Sequence, residues 1–411
     1  MSISSSSSPE RYCLGGLMKD LDKDLSPRDF DFDSKEETLC KTNSEQKLSL
    51  DSFYSFKSKK DLFSPSLESN ISIENESIKK DNIMKFSINF SLKSMLSAFN
   101  NQKSTIFLQK SLMEASKDEI DNIVKEMKGY YSSIIKNKNG NYFCKDLIKL
   151  CDKNQRIKIL EEISNNISED CTDEFGTHPI QTLIELAKSE EEYKLLLSPF
   201  NDYNKMLKAA LNQNGSFVIQ KIIVHIPEKY RMEFNLIFVK YICTLSMDIY
   251  GVCSVIKFIN YTKNENIEKL ILNLLTSNFV YISGNQYGNY FVQNIMERWW
   301  NSKNGLFLKK VCIDKFVILA NNHYSSYVCD MLLKLSNIED KSQLMKNLIN
   351  SNDINSLYNT NSGKIIANKL INGLKKDKNN FKNSNRNLWV KNNNKENLNL
   401  EIEKGNEKKE I

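Results

Sequence analysis

The stretch Tyr287-Gly288-Asn289-Tyr290-Phe291-Val292-Gln293 decides the fold, because it returns along the chain. A second clear copy is Asn214-Gly215-Ser216-Phe217-Val218-Ile219-Gln220. Weaker copies run Phe175-Gly176-Thr177-His178-Pro179-Ile180-Gln181 and Gly140-Asn141-Tyr142-Phe143-Cys144-Lys145. The last residues of the copies fall at 109, 145, 181, 220, 256, 293, 330 and 367, with steps of 36, 36, 39, 36, 37, 37 and 37. A fixed period in this range marks a stack of repeated units, each too small to bury its apolar face alone.

Working outward from the motif, apolar residues recur at helical spacing, as in Ile120, Ile123, Val124 and Met127. Asn, Gly and Asp interrupt them, as in Lys136-Asn137-Lys138-Asn139-Gly140, and no long Val/Ile/Thr alternation points to strands. The expectation is an all-α, curved solenoid. Each repeat reads as a turn, a motif helix, a connector and a longer helix, for example Gly215 to His225 followed by Lys229 to Leu245. Glycines 140, 176, 215, 251 and 288 precede the motif helices and read as turn formers.

Within a copy such as Asn289-Tyr290-Phe291-Val292-Gln293, first and fifth residues are spaced i, i+4 and share one helix face, with the second beside them. Third and fourth residues point the other way and are mostly apolar: Phe107/Leu108, Phe143/Cys144, Val218/Ile219, Phe291/Val292, Val328/Cys329 and Ile365/Ile366. Each helix is therefore expected to bury one side and display three chosen side chains on the other.

Composition narrows the function. Lys+Arg 57 against Asp+Glu 51 gives a formal charge of +6, compatible with a polyanion but not diagnostic of one. The nine cysteines form no Cys-x-x-Cys pair and no zinc spacing, and read as small buried thiols. No signal peptide and no run of about 18 apolar residues appears, so a cytoplasmic chain outside the membrane is expected. Residues 1–80, rich in Ser, Lys, Asp and Glu, read as disordered. Ser8-Pro9, Ser26-Pro27 and Ser64-Pro65 read equally as phosphorylation sites and as plain linker serines. Residues 81–375 carry the repeats, and 376–411 read as an Asn/Lys-rich flexible tail. His225 and His323 lack a Cys, Ser or carboxylate pattern, and no phosphate-cradling Gly loop occurs. No enzyme, cofactor or metal is expected.

At this point the residues resemble the Pumilio (PUF) family of RNA-binding proteins. The resemblance rests on period, motif and order of variants, most strongly on Gly288 to Gln293, Asn214 to Lys221 and Tyr324-Ser325-Ser326-Tyr327-Val328-Cys329-Asp330. It implies a right-handed curved α-solenoid of about seven to eight PUF repeats plus caps. It also implies one RNA base per repeat, with first and fifth residues on the base edge and the second stacked on the base. The RNA would run antiparallel to the protein.

Carried over copy by copy, Asn289, Tyr290 and Gln293 of repeat 6 match the family's uracil pattern. Ser326, Tyr327 and Asp330 of repeat 7 look like its guanine pattern, with Asp for the usual Glu. Ser216, Phe217 and Gln220 of repeat 4 and Thr177, His178 and Gln181 of repeat 3 resemble adenine readers. Thr105 and Gln109 of repeat 1 resemble them too, with Ile106 in place of a ring. Asn141, Tyr142 and Lys145 of repeat 2 depart at Lys145, which offers donors only. Val252, Cys253 and Ile256 of repeat 5 have lost every polar reader, and the copy at Gly363 to Leu370 resembles a closing half-repeat.

The implied partner is single-stranded RNA containing G-U-x-A-A in an mRNA 3′ untranslated region, bound by a monomer. Translation repression or decay would follow through deadenylase or translation-repression proteins. Two readings stay open beside it: a nucleolar PUF-type ribosome-biogenesis factor on structured RNA, and a helical scaffold that binds protein.

Overall fold

The computed structural model describes residues 90–376. The expectations for 1–80, including the three Ser-Pro sites, and for the tail past 376 lie outside the described residues, as do Cys13 and Cys40. Among the described residues the chain is helical throughout, with no strand.

Seven inner helices carry the motif: Gln102–Met113, Gly140–Leu150, Thr177–Leu186, Gln213–His225, Gly251–Tyr261, Gly288–Trp299 and Ser326–Leu335. A further helix over 361–376 carries the closing copy. Each inner helix packs on the next in line, so the inner helices form one row. The outer layer differs from expectation. In most repeats it breaks into two pieces, as in Met232–Lys240 and Ile242–Ser246, where one helix from 229 to 245 was expected. Repeat 5 has the single unbroken outer helix, Glu265–Ser283.

At the start of each inner helix a turn closed by an Asn or Asp side chain returns with the period. In two helices that residue, Asn101 or Asn212, is the N-cap itself, and in the others it stands two or three residues ahead of it. Asn101, Asn137, Asp173, Asn212, Asp248, Asn285 and Asn322 each accept, through Oδ1, the backbone N–H groups two and three residues on. These distances run from 2.8 to 3.2 Å. Thr360 Oγ1 does the same for Gly363 at 3.0 Å. Such caps satisfy donors that a helix start otherwise leaves unpaired and contribute about 1 kcal/mol each. The outer helices of repeats 1 to 3 start on capping boxes, Ser116/Glu119, Asp152/Gln155 and Ser189/Glu192.

The repeated glycine has a different role from the expected turn. A Cβ on Gly215 would press into the carbonyl oxygen of Ala209, and one on Gly288 into that of Ile282. The glycine thus lets the inner helix approach the end of the outer helix before it. In repeat 7 Ser325 stands at this place, and its hydroxyl donates to the corresponding carbonyl, Leu319 O, at 2.7 Å.

The core fills as the motif predicts in the interior repeats. Phe143, Cys144, Val218, Ile219, Phe291, Val292, Val328 and Cys329 are all buried. The pattern fails for the third residue at both ends of the row, where Phe107 is 63% and Ile365 55% exposed. End repeats have a neighbour on one side only, so one flank of the helix stays uncovered. Of the described cysteines, Cys144, Cys151, Cys171, Cys312 and Cys329 are buried. Burial pushes the Cys151 and Cys171 thiols up to about 12.

Polar bridges join one repeat to the next at about one period. Arg156 Nε donates to Glu192 at 2.8 Å, Gln155 Nε2 to Asp121 at 2.8 Å and Asn304 Nδ2 to Glu268 at 3.2 Å. Thr262 Oγ1 donates to Glu228 at 2.7 Å, and Lys136 pairs with the buried Asp170 at 2.7 Å. Glu192 is the most engaged of these. Burial pushes its carboxyl up, but bonds from the Lys188 and Ser189 backbone, the Ser189 hydroxyl and Arg156 outweigh this and hold it below the usual range.

Candidate nucleic-acid interface

The second-position residues line up along the inner helices and face solvent. Tyr142 is 46%, Phe217 36% and Tyr327 44% exposed, His178 is also exposed and Tyr290 is half-buried. Ile106 and Cys253 continue the row without a ring. Exposed aromatic faces at intervals of one repeat are what a stack of planar ligands requires. In repeat 7 the row thickens, because the His323 ring lies edge-on to both Tyr324 and Tyr327, at 5.1 and 5.8 Å.

The first-position residues are not displayed as the sequence suggested. Thr105, Asn141, Thr177, Ser216, Val252, Asn289 and Ser326 are all buried. The donors of the six polar ones turn back onto backbone carbonyls. Thr105 Oγ1 reaches Ala98 O at 2.9 Å, Ser216 Oγ reaches Gln213 O at 3.0 Å and Ser326 Oγ reaches His323 O at 2.7 Å. Thr177 Oγ1 crosses to Asn214 O at 3.1 Å. Asn141 Nδ2 bonds Asn137 O and Lys138 O, as Asn289 Nδ2 bonds Asn285 O and Gln286 O. The helix starts inside the packed row, so its first turn is covered and its small polar residues close the turn.

In repeats 3 and 6 the first position also orients the fifth. Gln293 Nε2 donates to Asn289 Oδ1 at 2.9 Å, and Gln181 Nε2 to Thr177 Oγ1 at 3.0 Å. Gln293 is itself buried, at 8% exposure, and Gln181 half-buried, and each amide has a second N–H and a carbonyl beyond this bond. Gln220 is buried beside Ser216. The fifth residues of the end repeats are held by neighbours instead. Gln109 Nε2 donates to Asp146 at 2.7 Å. Asp330 pairs through one oxygen with Lys369 of the closing helix at 2.8 Å and through the other with Lys334 at 3.1 Å. Burial pushes the Asp330 carboxyl up, but the bonds from Lys369 and Lys334 prevail and hold it below the usual range. A guanine at repeat 7 would have to share that carboxylate with two ammonium groups.

Repeat 5 offers no polar reader. Val252 and Ile256 are buried and the Cys253 thiol donates to Ile249 O at 3.7 Å. Repeat 2 places the half-buried Lys145 near His178. Burial lowers the pKa of that imidazole, and the Lys145 charge lowers it further.

Two contributions were missed from the sequence. Lys369 lies in a copy read as a cap, and nothing in the motif marks it. Tyr250, Tyr287 and Tyr324 recur at 37-residue steps two places ahead of the first position, a signal the spacing did contain. None of the described helices is long and apolar enough to cross a membrane.

Comparison with known proteins agrees with this arrangement. A model of the Pumilio-family RNA binding repeat matches residues 101–128, 130–164, 207–233, 241–275 and 278–299. Among curated relatives, Pumilio homolog 12 of Arabidopsis thaliana is 26% identical over 255 residues, 61% of this chain and 42% of the relative. Pumilio homolog 11 of the same plant is 24% identical over 277 residues, 58% of this chain and 49% of the relative. The chain thus spans less than half the length of these two relatives.

Among solved structures, the Puf4 RNA binding domain bound to an HO endonuclease RNA 3′ UTR recognition sequence superimposes with a TM-score of 0.61 at 20% identity. That match covers 68% of this chain and 87% of the other. The RNA-binding domain of yeast Puf5p bound to AAT2 RNA gives 0.60 at 19% identity, covering 67% and 82%. The fold is the right-handed, curved α-solenoid of those domains. With its period, its polar turns ahead of the motif helices and five matched stretches, the chain carries repeats of the Pumilio-family RNA binding type and resembles a divergent member of that family.

Proposed function

We propose that the row of inner helices binds single-stranded RNA, one base per repeat, and that the chain represses its target mRNA through a 3′ untranslated element. The observation that carries this reading is the line of solvent-facing second-position rings, Tyr142, His178, Phe217, Tyr290 and Tyr327, with the fifth-position glutamines of repeats 3 and 6, Gln181 and Gln293, each oriented by a bond to its own helix. Stacking on such rings is worth about 1–3 kcal/mol per base.

Repeat 6 has the full set for uracil, with Asn289 orienting Gln293 and Tyr290 as the stacking ring. Repeats 4 and 3 read adenine through Ser216, Phe217, Gln220 and Thr177, His178, Gln181. Repeat 7 places Asp330 and Tyr327 against guanine, and repeat 1 contributes Thr105 and Gln109. The 81–375 segment acts as the binding domain of a cytoplasmic monomer, a binding module and not an enzyme. Deadenylase or translation-repression proteins are the partners such a module would recruit.

Selection of RNA from a random pool by the full chain, read by sequencing, tests this. Enrichment of a UGU-containing, A-rich single-stranded element, lost in the Tyr290→Ala/Gln293→Ala double variant, is the expected result. Enrichment of structured or arbitrary RNA would favour the ribosome-biogenesis reading. No enrichment at all would favour the protein scaffold.

A further inference from the structure

Repeat 2 repeats the geometry of repeat 6 with one group changed. In repeat 6 the buried Asn289 uses Nδ2 on two backbone carbonyls and offers Oδ1 to Gln293 Nε2 at 2.9 Å. In repeat 2 the buried Asn141 uses Nδ2 on the corresponding carbonyls, Asn137 O and Lys138 O, at 3.0 and 2.8 Å. Its Oδ1 is left without a hydrogen-bond partner. The residue one turn on, at the place of Gln293, is Lys145.

Lys145 is half-buried and has no ion pair or hydrogen bond among the described residues. The adjacent carboxylate, Asp146, is already engaged, by Gln109 at 2.7 Å and by Lys149 at 3.1 Å. The Lys145 charge is felt at His178, the ring of the next repeat. An ammonium group carries three donors and no acceptor. One donor matches the orphaned Asn141 Oδ1, as the Gln293 amide matches Asn289 Oδ1. Two N–H donors then remain for a base stacked on Tyr142.

A glutamine in this place presents a donor beside an acceptor. That suits uracil, in which an N–H stands next to a carbonyl oxygen. Lys145 presents donor beside donor. Resting on the RNA-binding reading above, the geometry points to Lys145 as the specificity-determining residue of repeat 2, selecting a base with two adjacent acceptors over uracil or adenine. Cytosine offers them at N3 and O2, and guanine at N7 and O6. Uracil interrupts its acceptors with N3–H, and adenine sets an amino group beside each of its outward-facing acceptors.

The test is fluorescence anisotropy with the full chain on four RNAs of the form G-U-A-A-A-N. They differ only at N, the nucleotide that faces repeat 2 when the strand runs antiparallel. The wild-type chain is expected to bind N = C or N = G about tenfold more tightly than N = U or N = A, within the range for a paired base edge. The Lys145→Gln variant, which restores the repeat 6 arrangement, is expected to move the preference to U. Where N = G is bound, loss of binding to the 7-deazaguanine RNA supports the N7/O6 edge, and retained binding overturns the two-acceptor reading for guanine. Where only N = C is bound, the N3/O2 edge is assigned.

Equal binding of all four RNAs by the wild-type chain overturns the inference while leaving the RNA-binding reading intact. So does a Lys145→Gln variant that weakens all four alike and lowers the salt dependence by about one charge, the mark of a phosphate contact. Binding of none of the four above a scrambled control overturns the RNA-binding reading itself.

Discussion

Repeats 5 and 6 are neighbours built on the same frame with opposite faces. Asp248 caps the start of one inner helix and Asn285 the other, through the same two backbone N–H bonds. Gly251 and Gly288 admit the same close approach, to Leu245 O and Ile282 O. Ser254 and Val255 are buried in one, Phe291 and Val292 in the other. Yet the ligand face of repeat 5 is Val252, Cys253 and Ile256, whereas repeat 6 shows Tyr290 and an oriented Gln293. The cap, the glycine and the third and fourth residues hold the row together. The first, second and fifth positions can change without disturbing it, and this is how a repeat can lose its reader and remain a spacer.

The comparison breaks most sharply if the frame depends on the readers. Gly251→Val and Gly288→Val force a β-branched side chain into the preceding carbonyl. Each should cost about 1–3 kcal/mol of stability by chemical denaturation, equally in the two repeats. Unequal losses would mean that the two frames differ. On the ligand side, Tyr290→Ala should weaken binding of a UGU-type RNA by about 1–3 kcal/mol with the thermal midpoint unchanged. In the same assay, Cys253→Ala should change affinity less than twofold, and a large loss there would show that repeat 5 reads a base after all.

Smaller effects sharpen the picture. Removing a cap, Asp248→Ala or Asn285→Ala, should cost about 1 kcal/mol in either repeat. The smallest effect belongs to the end of the row, where Asp330 is held below its ordinary range by Lys369 and Lys334. The stability from that group is present above the ordinary carboxylate range and is lost as pH falls through its depressed folded value. Because both lysines are largely exposed, the amount is below about 1 kcal/mol. Lys369→Ala should reduce the acid dependence measured by thermal melts at decreasing pH.

Much of this architecture was legible because period-bound features write themselves into the chain once per repeat. The apolar third and fourth residues gave the buried side, and the second position gave the exposed rings. The burial of the first position was not legible. A Ser or Asn on the same helical face as Gln293 reads as a displayed group, and only the packed row shows its donors turned back to the backbone. The Asn/Asp caps escaped notice because Asn is abundant throughout this chain and the cap sits outside the five-residue window. A turn former and a close-approach glycine look alike in sequence, and the carbonyl six residues earlier distinguishes them. Phe107 and Ile365 follow the motif yet stay exposed, since pattern does not say where the row ends. The role of Lys369 depends on a partner 39 residues away in a copy that looks like a cap.

The polar bridges between repeats have a genetic consequence. Arg156 to Glu192 and Asn304 to Glu268 each span one period, 36 residues. A donor in one repeat therefore meets its acceptor in the repeat beside it and nowhere further along. Splicing out or duplicating a block of 36 or 37 codons would bring each cut edge against a neighbour of the same kind. The apolar seam would re-form, and the proposed footprint would change by a single nucleotide. Such a chain can alter its vocabulary by whole letters.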